Sequence, residues 1–326
     1  MRRVIGTVVA CMAVCLPIAA QLRFGADGTL KIVQFTDIHW VPGAEESSAA
    51  ADCMRKVLDW EKPDLVIYTG DIATGRPAVE AMDSALAPVI ERGVPFAVTF
   101  GNHDDEHDLS RRELYDYVAG MEENLTVTVE GLTGVTNFTL TVKASGSDSI
   151  AAVLYVMDTN AYASIEGMGE YDWVHRDQVE WYCEESERYR ELNGGTAVPA
   201  LCFLHIPLPE YNEAASNEKV RMEGARFEKA CAPELNTGLF AAMVTEGDVM
   251  GVFAGHDHVN NYAAYYKGVL LAYGQFTGGK TTYAPAENGA RVIELREGAR
   301  SFRTWIRMSN GDVRYDVTYP DSFVGN

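Results

Sequence analysis

Short apolar runs alternate with amphipathic segments through the first third of the chain. The largely apolar runs 30–35, 65–68 and 95–100 end in glycine or polar residues. The segments between them, 48–61 and 77–92, carry apolar side chains at helical spacing. This order of strand, helix, strand, helix, strand is typical of stacked βαβ units with parallel strands. It predicts that the polar residues after each strand gather at one edge of a sheet.

The same pattern continues to the C-terminus. Leu22–Phe24 and Leu30–Phe35 flank an Ala-Asp-Gly turn, which predicts a β-hairpin. Residues 206–235 are polar and irregular, so we expect a surface excursion over one edge of the sheet. No repeat or linker interrupts residues 21–326, which we therefore expect to form one α/β domain. Further predicted strands are 136–143, 150–157, 199–204, 249–254, 262–266, 270–273, 291–295 and 302–307, and further predicted helices are 174–192 and 236–243.

The first twenty residues have the pattern of a secretory signal. Arg2 and Arg3 precede an uncharged apolar stretch, and small residues end it at Ala19 and Ala20. We expect cleavage after residue 20 and a secreted or periplasmic protein. A membrane anchor is one alternative, because the apolar stretch is close to the length of a membrane span. A lipoprotein is the other, because Val8-Val9-Ala10-Cys11 loosely matches a lipid-attachment box.

Composition and charge limit the classes of molecule that we expect the protein to bind. Of 326 residues, 47% are hydrophobic and 23% charged, which indicates a folded protein. Lys and Arg total 27 against 47 Asp and Glu, so the net charge of −20 disfavours nucleic acid and anionic membranes as partners. The oligomeric state stays open. Four cysteines follow the signal and their pairing is open too, with free, buried thiols favoured for Cys53 and Cys202.

Potential metal ligands follow five of the predicted strands. Any one of these short motifs is weak evidence, but five of the seven histidines lie at such strand ends. Mixed Asp, Asn and His ligands suit Mn, Zn or Fe better than Ca or Mg. A carboxylate shared by two such ions holds them roughly 3.5–4 Å apart, the spacing used to bind phosphate. The five motifs are Asp37-Ile38-His39, Gly70-Asp71, Gly101-Asn102-His103-Asp104, His205 and Gly255-His256-Asp257-His258.

These five motifs, in this order, resemble the calcineurin-like metallophosphoesterases, from about Leu30 to Tyr273. The likeness is greatest to the small purple-acid-phosphatase-like branch of plants, fungi and bacteria. The resemblance implies a two-sheet β-sandwich flanked by helices and a centre of two divalent or trivalent transition-metal ions. The segments that carry the closer likeness are Phe35–Trp40, Phe100–Glu106, His205–Tyr211 and Gly255–Asn260.

The resemblance also assigns roles to residues. His103 is expected to contact the substrate phosphate or its leaving oxygen, and Asp71 is expected to bridge the two metals. Asp104 is a candidate to orient His103 and to line the substrate pocket. The first metal is expected to bind Asp37, His39, Asp71 and His258, and the second Asp71, Asn102, His205 and His256; Trp40, Asp105, Glu106, Glu210 and Tyr211 adjoin these ligands and are candidates to line the pocket.

Two positions depart from true purple acid phosphatases. Those enzymes have glycine at the position of His39 and tyrosine at the position of Thr74. Without a tyrosinate there is no basis for a purple Fe(III) centre, so the metal identity stays open. Thr74 also lacks the carboxylate that many relatives use to orient the residue equivalent to His103.

The expected function is an exported phosphoesterase in which a hydroxide held between two metal ions attacks a small phosphate ester. A phosphomonoesterase is favoured. A phosphodiesterase or nucleotidase with the same core is the first alternative. A non-catalytic binding protein on this scaffold is the second, and loss of metal ligands would be its signature. No serine-hydrolase Gly-x-Ser-x-Gly motif is present.

Overall fold

Thirteen strands and six helices form the part of the chain that the computed structural model describes, residues 21–324. The strands are β1 (Thr29–Phe35), β2 (Leu65–Thr69), β3 (Phe96–Thr99), β4 (Phe138–Lys143), β5 (Ile150–Val156), β6 (Ala200–Phe203), β7 (Met222–Glu223), β8 (Val249–Ala254), β9 (Ala263–Tyr266), β10 (Val269–Tyr273), β11 (Gly289–Arg296), β12 (Phe302–Met308) and β13 (Val313–Tyr319). The helices are α1 (Ser47–Glu61), α2 (Ala78–Ile90), α3 (Arg111–Val118), α4 (Arg176–Leu192), α5 (Glu210–Ser216) and α6 (Leu239–Glu246).

The strands build two mixed sheets that pack face to face, with helices on both outer surfaces. One sheet has the order β13-β12-β11-β1-β2-β3, and the other has the order β4-β5-β6-β8-β10-β9-β7. One apolar cluster fills the space between the sheets. A second lies under α1 and α2, and a third lies under α4, α5 and α6. The predicted α/β sandwich flanked by helices is therefore confirmed.

Alternating side chains explain why the central strands are buried on both faces. In β1, Ile32 belongs to the cluster between the sheets, and its neighbour Val33 belongs to the cluster under the helices. In β6, Leu201 belongs to the cluster between the sheets, and its neighbour Cys202 belongs to the cluster under α4, α5 and α6. Because successive side chains on a strand point to opposite faces, a strand between two apolar layers needs a continuous apolar run.

The direction of the strands brings the predicted ligands to one edge. Strands β1, β2 and β3 are parallel neighbours in the first sheet. Strands β5, β6, β8 and β10 are parallel neighbours in the second sheet. The carboxyl ends of both sets lie together, as the βαβ pattern predicts.

The predicted hairpin at the start of the described chain is wrong. Phe24 donates its backbone N–H to the carbonyl of Lys143, and Lys143 donates to the carbonyl of Leu22, so this segment extends the edge of β4. Strand β1 instead pairs with β2 and β11. The turn itself forms, because Gly25 donates its backbone N–H to the carbonyl of Thr29, but the two segments beside it pair with different strands. The sequence analysis also missed α3 and β13, and it missed α5 and β7 within the stretch 206–235 that it expected to be irregular.

The predicted signal segment, residues 1–20, lies outside the described residues and stays a prediction. Within residues 21–324, no helix has the length and apolar character needed to cross a membrane. The four cysteines of this range carry free thiols, and Cys53 and Cys202 are buried as predicted.

Arg111, at the start of α3, ties two strand-end loops together from inside the protein. Its guanidinium donates to both carboxylate oxygens of Asp158 and to the carbonyls of Phe100, Gly101 and Asn160, with every N–O distance between 2.7 and 3.2 Å. Burial alone would raise the pKa of Asp158, but the guanidinium outweighs it and holds the pKa below its usual value. This buried pair fixes the loop after β3, which carries several of the predicted site residues.

Replacing Arg111 should therefore destabilise the fold. Arg111→Met leaves the Asp158 carboxylate buried without its partner, and we expect the free energy of unfolding in urea to fall by about 3–5 kcal/mol. Arg112→Met is the matched control, because Arg112 lies on the surface and pairs only with exposed carboxylates. Its urea midpoint should stay close to that of the wild type. Equal shifts in the two variants would contradict this role for Arg111.

Candidate metal centre

The first group of ligand atoms comes from the ends of β1, β2 and β8. Oxygen or nitrogen atoms of Asp37, His39, Asp71 and His258 all lie within 4.8 Å of one another. His39 Nε2 lies 3.0 Å from His258 Nε2 and 3.5 Å from Asp71 Oδ2. His258 Nε2 lies 3.6 Å from Asp37 Oδ1. Two imidazole nitrogens and two carboxylates thus converge on one point.

The second group comes from the ends of β2, β3, β6 and β8. Ligand atoms of Asp71, His205 and His256 lie within 4.8 Å of one another. His205 Nε2 is 3.3 Å from Asp71 Oδ2 and 3.2 Å from Asn102 Oδ1. Asp71 belongs to both groups, so the structure brings together all seven predicted ligands with this carboxylate between the two halves.

The histidines present lone pairs to these groups. His205 Nδ1 lies 2.7 Å from the carbonyl of Thr69, and His258 Nδ1 lies 2.6 Å from the carbonyl of Tyr283. A carbonyl only accepts hydrogen bonds, so each Nδ1 carries a proton and each Nε2 is the nitrogen that faces the ligand group. His256 Nε2 is buried and has no hydrogen-bond partner. This donor set fits two transition-metal ions.

Burial and neighbouring charges set the protonation of the cluster. The most exposed of the seven ligand residues, His256, is only 7% exposed. Burial lowers the pKa of His39 to about 3 and holds the pKa of His256 well below its usual value, which keeps both imidazoles neutral. Burial would raise the pKa of Asp71, but the imidazole of His205, by its charge and its hydrogen bond, outweighs it, and the pKa lies well below the ordinary value. Burial opposes protonation of His205, yet the charge of Asp71 raises the pKa of His205 to about 9. The carboxylates of the cluster therefore attract positive charge.

The backbone is strained where it presents the ligands. Asp37, His39, Asp71 and His256 have φ angles between +48° and +77°. Side chains other than glycine rarely adopt this region, and strain of this kind concentrates at functional sites. Gly101 is required for a different reason: a Cβ atom there would collide with Asp71 Oδ1.

His103 lies beside the first group and is held at two points. Its backbone N–H donates to Asp71 Oδ1 at 2.9 Å, and its Nδ1 lies 2.8 Å from Glu106 Oε2. Burial opposes protonation of His103, but Asp71 and Glu106 outweigh it and raise its pKa above the ordinary value. Its imidazole centroid is 5.5 Å from that of His39. The residue that orients His103 is therefore Glu106, three residues further along the same loop.

Comparison with known proteins agrees with this geometry. Residues 30–260 match the family model of the calcineurin-like phosphoesterases. The chain belongs to that family. It is 30% identical to the Arabidopsis thaliana protein named "Probable inactive purple acid phosphatase 14", over 87% of this chain and 80% of that protein. It is 29% identical to the phosphatase DCR2 of Saccharomyces cerevisiae, over 94% of this chain and 58% of that protein.

A solved structure supports the fold of this calcineurin-like phosphoesterase. A dimetal phosphatase from Danio rerio superposes with a TM-score of 0.61, covering 89% of this chain and 98% of that one. The two sequences are 14% identical, so the likeness concerns the fold alone. The two-sheet arrangement with flanking helices is thus that of the metallophosphoesterases.

Asp104 has a different place in the structure from the one expected. It is fully buried and accepts backbone N–H bonds from Asp71, Ile72, Ala73 and Gly101, at 2.7–3.0 Å. A carboxylate with four such donors holds two loops together. It neither lines the substrate pocket nor orients His103.

Two other residues expected to line the pocket, Tyr211 and Glu210, also lie elsewhere. Tyr211 is fully buried, and its hydroxyl donates to the carbonyls of Val252 and Ala272, which makes it part of the core. Glu210 accepts from Asn236 Nδ2 at 2.7 Å and lies in a separate small cavity under α6. The half-buried Trp40 packs against the cluster under the helices. The chemical type of these residues does not indicate whether they lie in the core or in the pocket, because contacts between distant parts of the chain determine their place.

Three tyrosines beside the ligands were missed by the sequence analysis. Tyr162 and Tyr171 pair across a short hairpin, residues 161–172, which we call the tyrosine hairpin. The ring of Tyr171 meets that of His256 edge-on at 4.4 Å. The ring of Tyr283 stacks on that of His258 at 4.1 Å. The hairpin lies in an irregular stretch with many polar residues, and nothing in its pattern marks it as part of a site.

Part of the predicted excursion lies next to the ligands. Backbone N–H groups of Phe227 and Glu228 donate to Asn260 Oδ1 at 3.0 and 3.2 Å. Cys231 donates its backbone N–H to the carboxylate of Asp257, between the two histidines of the loop after β8. Residues 227–231 thus pack against that loop, in keeping with an excursion that borders the pocket.

Replacing the shared carboxylate should weaken metal binding at both ligand groups together. Asp71→Asn removes the negative charge between two cations, so we expect the affinity for Mn²⁺ to fall at least about ten-fold at both sites. The measurement is the Mn²⁺ content of protein dialysed against graded free Mn²⁺. His39→Ala and His205→Ala are controls, each expected to weaken mainly one site. Two ions retained by Asp71→Asn at wild-type affinity would show that Asp71 does not bridge them.

Proposed function

We propose that the protein is a dinuclear-metal phosphoesterase that hydrolyses small phosphate esters, phosphomonoesters first. The observation that carries the proposal is the position of Asp71, whose carboxylate belongs to both buried ligand groups. Two cations sharing a carboxylate are the usual means by which proteins bind and activate a phosphoryl group. Mn, Zn and Fe are the metals that this ligand set suits.

The metal ions would supply Lewis-acid stabilisation of the phosphoryl oxygens and an activated water. The remaining chemistry belongs to His103. Since Glu106 engages Nδ1, the nitrogen left to meet the substrate is Nε2. A proton held there can be donated to a phosphoryl oxygen or to the leaving oxygen. The side chain of His103 is 39% exposed, so a substrate can reach it from solvent.

Local charge explains how so acidic a protein can bind an anion. The chain carries a net charge of −20, which repels long polyanions at a distance. At the centre itself, two divalent cations outweigh the carboxylates of Asp37 and Asp71. A small phosphate ester that reaches the centre meets positive charge. This supports a small substrate over a nucleic acid.

The word "inactive" in the name of the Arabidopsis relative concerns that protein. A non-catalytic descendant of this scaffold is expected to lose ligands, because nothing retains a buried, strained cluster of histidines and carboxylates without a metal to bind. In this chain all seven ligands are present and converge, and His103 has its partner Glu106. These features support turnover over a purely binding role.

A panel of phosphate esters tests the proposal. The metal-free protein is reconstituted in turn with Mn²⁺, Zn²⁺, Fe²⁺ and Mg²⁺, and assayed on monoesters, diesters and nucleotides. We expect metal-dependent hydrolysis of p-nitrophenyl phosphate, with little stimulation by Mg²⁺. A clear preference for bis-p-nitrophenyl phosphate would make the protein a diesterase, and no hydrolysis with any metal would contradict the proposal.

His103→Ala is the matched control for the panel. The variant keeps every metal ligand, so both ions should stay bound while turnover falls by roughly 10²–10⁴-fold, as for a lost general acid. Unchanged turnover in this variant would mean that any hydrolysis observed does not use His103.

A further inference from the structure

The hydroxyl of Tyr162 connects two parts of the site that lie on opposite sides of it. Its oxygen is 2.7 Å from Glu106 Oε1, 3.1 Å from Asn102 Nδ2 and 3.3 Å from His103 Nδ1. Glu106 uses its other oxygen, Oε2, to contact His103 Nδ1 at 2.8 Å. One chain of hydrogen bonds therefore runs from Asn102 through Tyr162 and Glu106 to His103.

The direction of each bond in this chain follows from Glu106. An ionised carboxylate can only accept hydrogen bonds, so both the Tyr162 hydroxyl and His103 Nδ1 must donate to it. The Tyr162 hydroxyl has one proton, and the hydrogen bond to Glu106 uses it. Its oxygen can only accept from Asn102, and Asn102 must turn its NH₂ group toward the tyrosine.

This direction decides what Asn102 offers to the second ligand group. With Nδ2 facing Tyr162, the amide oxygen Oδ1 faces the group and lies 3.2 Å from His205 Nε2. A metal ion binds the oxygen of an amide, whereas the NH₂ group carries partial positive charge and repels a cation. The reversed amide would aim that NH₂ group at the metal site.

We propose that Tyr162 is a positioning residue for the second metal site. Its hydroxyl, anchored by Glu106, holds the amide of Asn102 with the oxygen toward the metal, and Glu106 holds His103 at the same time. This inference rests on the proposed metal centre, and it assigns to the tyrosine hairpin a part in metal affinity that none of the five motifs contains. Partners one layer out from the ligands typically change metal affinity 10- to 100-fold.

The direct test is Tyr162→Phe, which keeps the ring and removes the hydroxyl. We expect affinity for the second Mn²⁺ to fall about ten-fold or more, with the first unchanged, in isothermal titration and in metal content after dialysis. Tyr171→Phe is the matched control. It lies on the same hairpin, its ring stacks on that of Tyr162, and its hydroxyl bonds no protein group within residues 21–324. Its two Mn²⁺ affinities should match those of the wild type.

Combining Tyr162→Phe with a second substitution, Asn102→Asp, distinguishes a role of Tyr162 in positioning Asn102 from a general contribution to the stability of the fold. In Asn102→Asp the ligand has two equivalent oxygens, so one faces the metal whichever way the group turns. Adding Tyr162→Phe to this variant should then cause no further loss of second-site affinity. An equal loss in the wild-type and Asn102→Asp backgrounds, or no loss in the wild-type background, would overturn the proposal.

Glu106→Ala provides an independent check should Tyr162→Phe fail to fold. Its side chain is 38% exposed, so the truncation is tolerable for the fold. We expect weaker binding of the second Mn²⁺ and, at saturating Mn²⁺, a lower kcat with little change in KM. The reason is that both Tyr162 and His103 lose their hydrogen bond to Glu106. Wild-type affinity at both sites would contradict the proposal. A wild-type protein that binds fewer than two ions would instead overturn the proposed metal centre.

Discussion

The buried carboxylate of Asp104 holds together the two loops on which the site depends. One of its oxygens accepts N–H bonds from Asp71 and Gly101, and the other accepts from Ile72 and Ala73. The loop after β2 is thereby fixed against the loop after β3. Asp71 adopts a positive φ within this arrangement, and the fixed loops allow that strain to persist. The carboxylate that both ligand groups share therefore depends on a second, fully buried carboxylate.

The sequence predicted the site better than it predicted its surroundings. Asp37, Asp71 and His256 follow apolar strands directly, and parallel strands bring their carboxyl ends to one edge, so candidate ligands could be located from periodicity and residue type. Their division between two metals came from the family resemblance. The orienting partner of His103 was not predicted correctly. Asp104 and Glu106 are chemically alike and two residues apart, and only the turn of the loop decides which one meets the imidazole.

Long-range contacts account for the other differences. Leu22–Phe24 has a turn beside it and yet pairs with the edge of β4, while β1 pairs with β2 and β11. Tyr211 follows a predicted ligand in sequence but points into the core between β8 and β10. Tyr162 lies about sixty positions from Asn102 and contacts it only in the folded chain.

The central claim is that two metal ions share Asp71, and a crystal grown with Mn²⁺ tests it most directly. Anomalous difference density at the manganese absorption edge should show two peaks, roughly 3.5–4 Å apart, on either side of the Asp71 carboxylate. One should contact Asp37, His39 and His258, and the other Asn102, His205 and His256. A single peak, or two peaks with Asp71 bound to only one, would contradict the account.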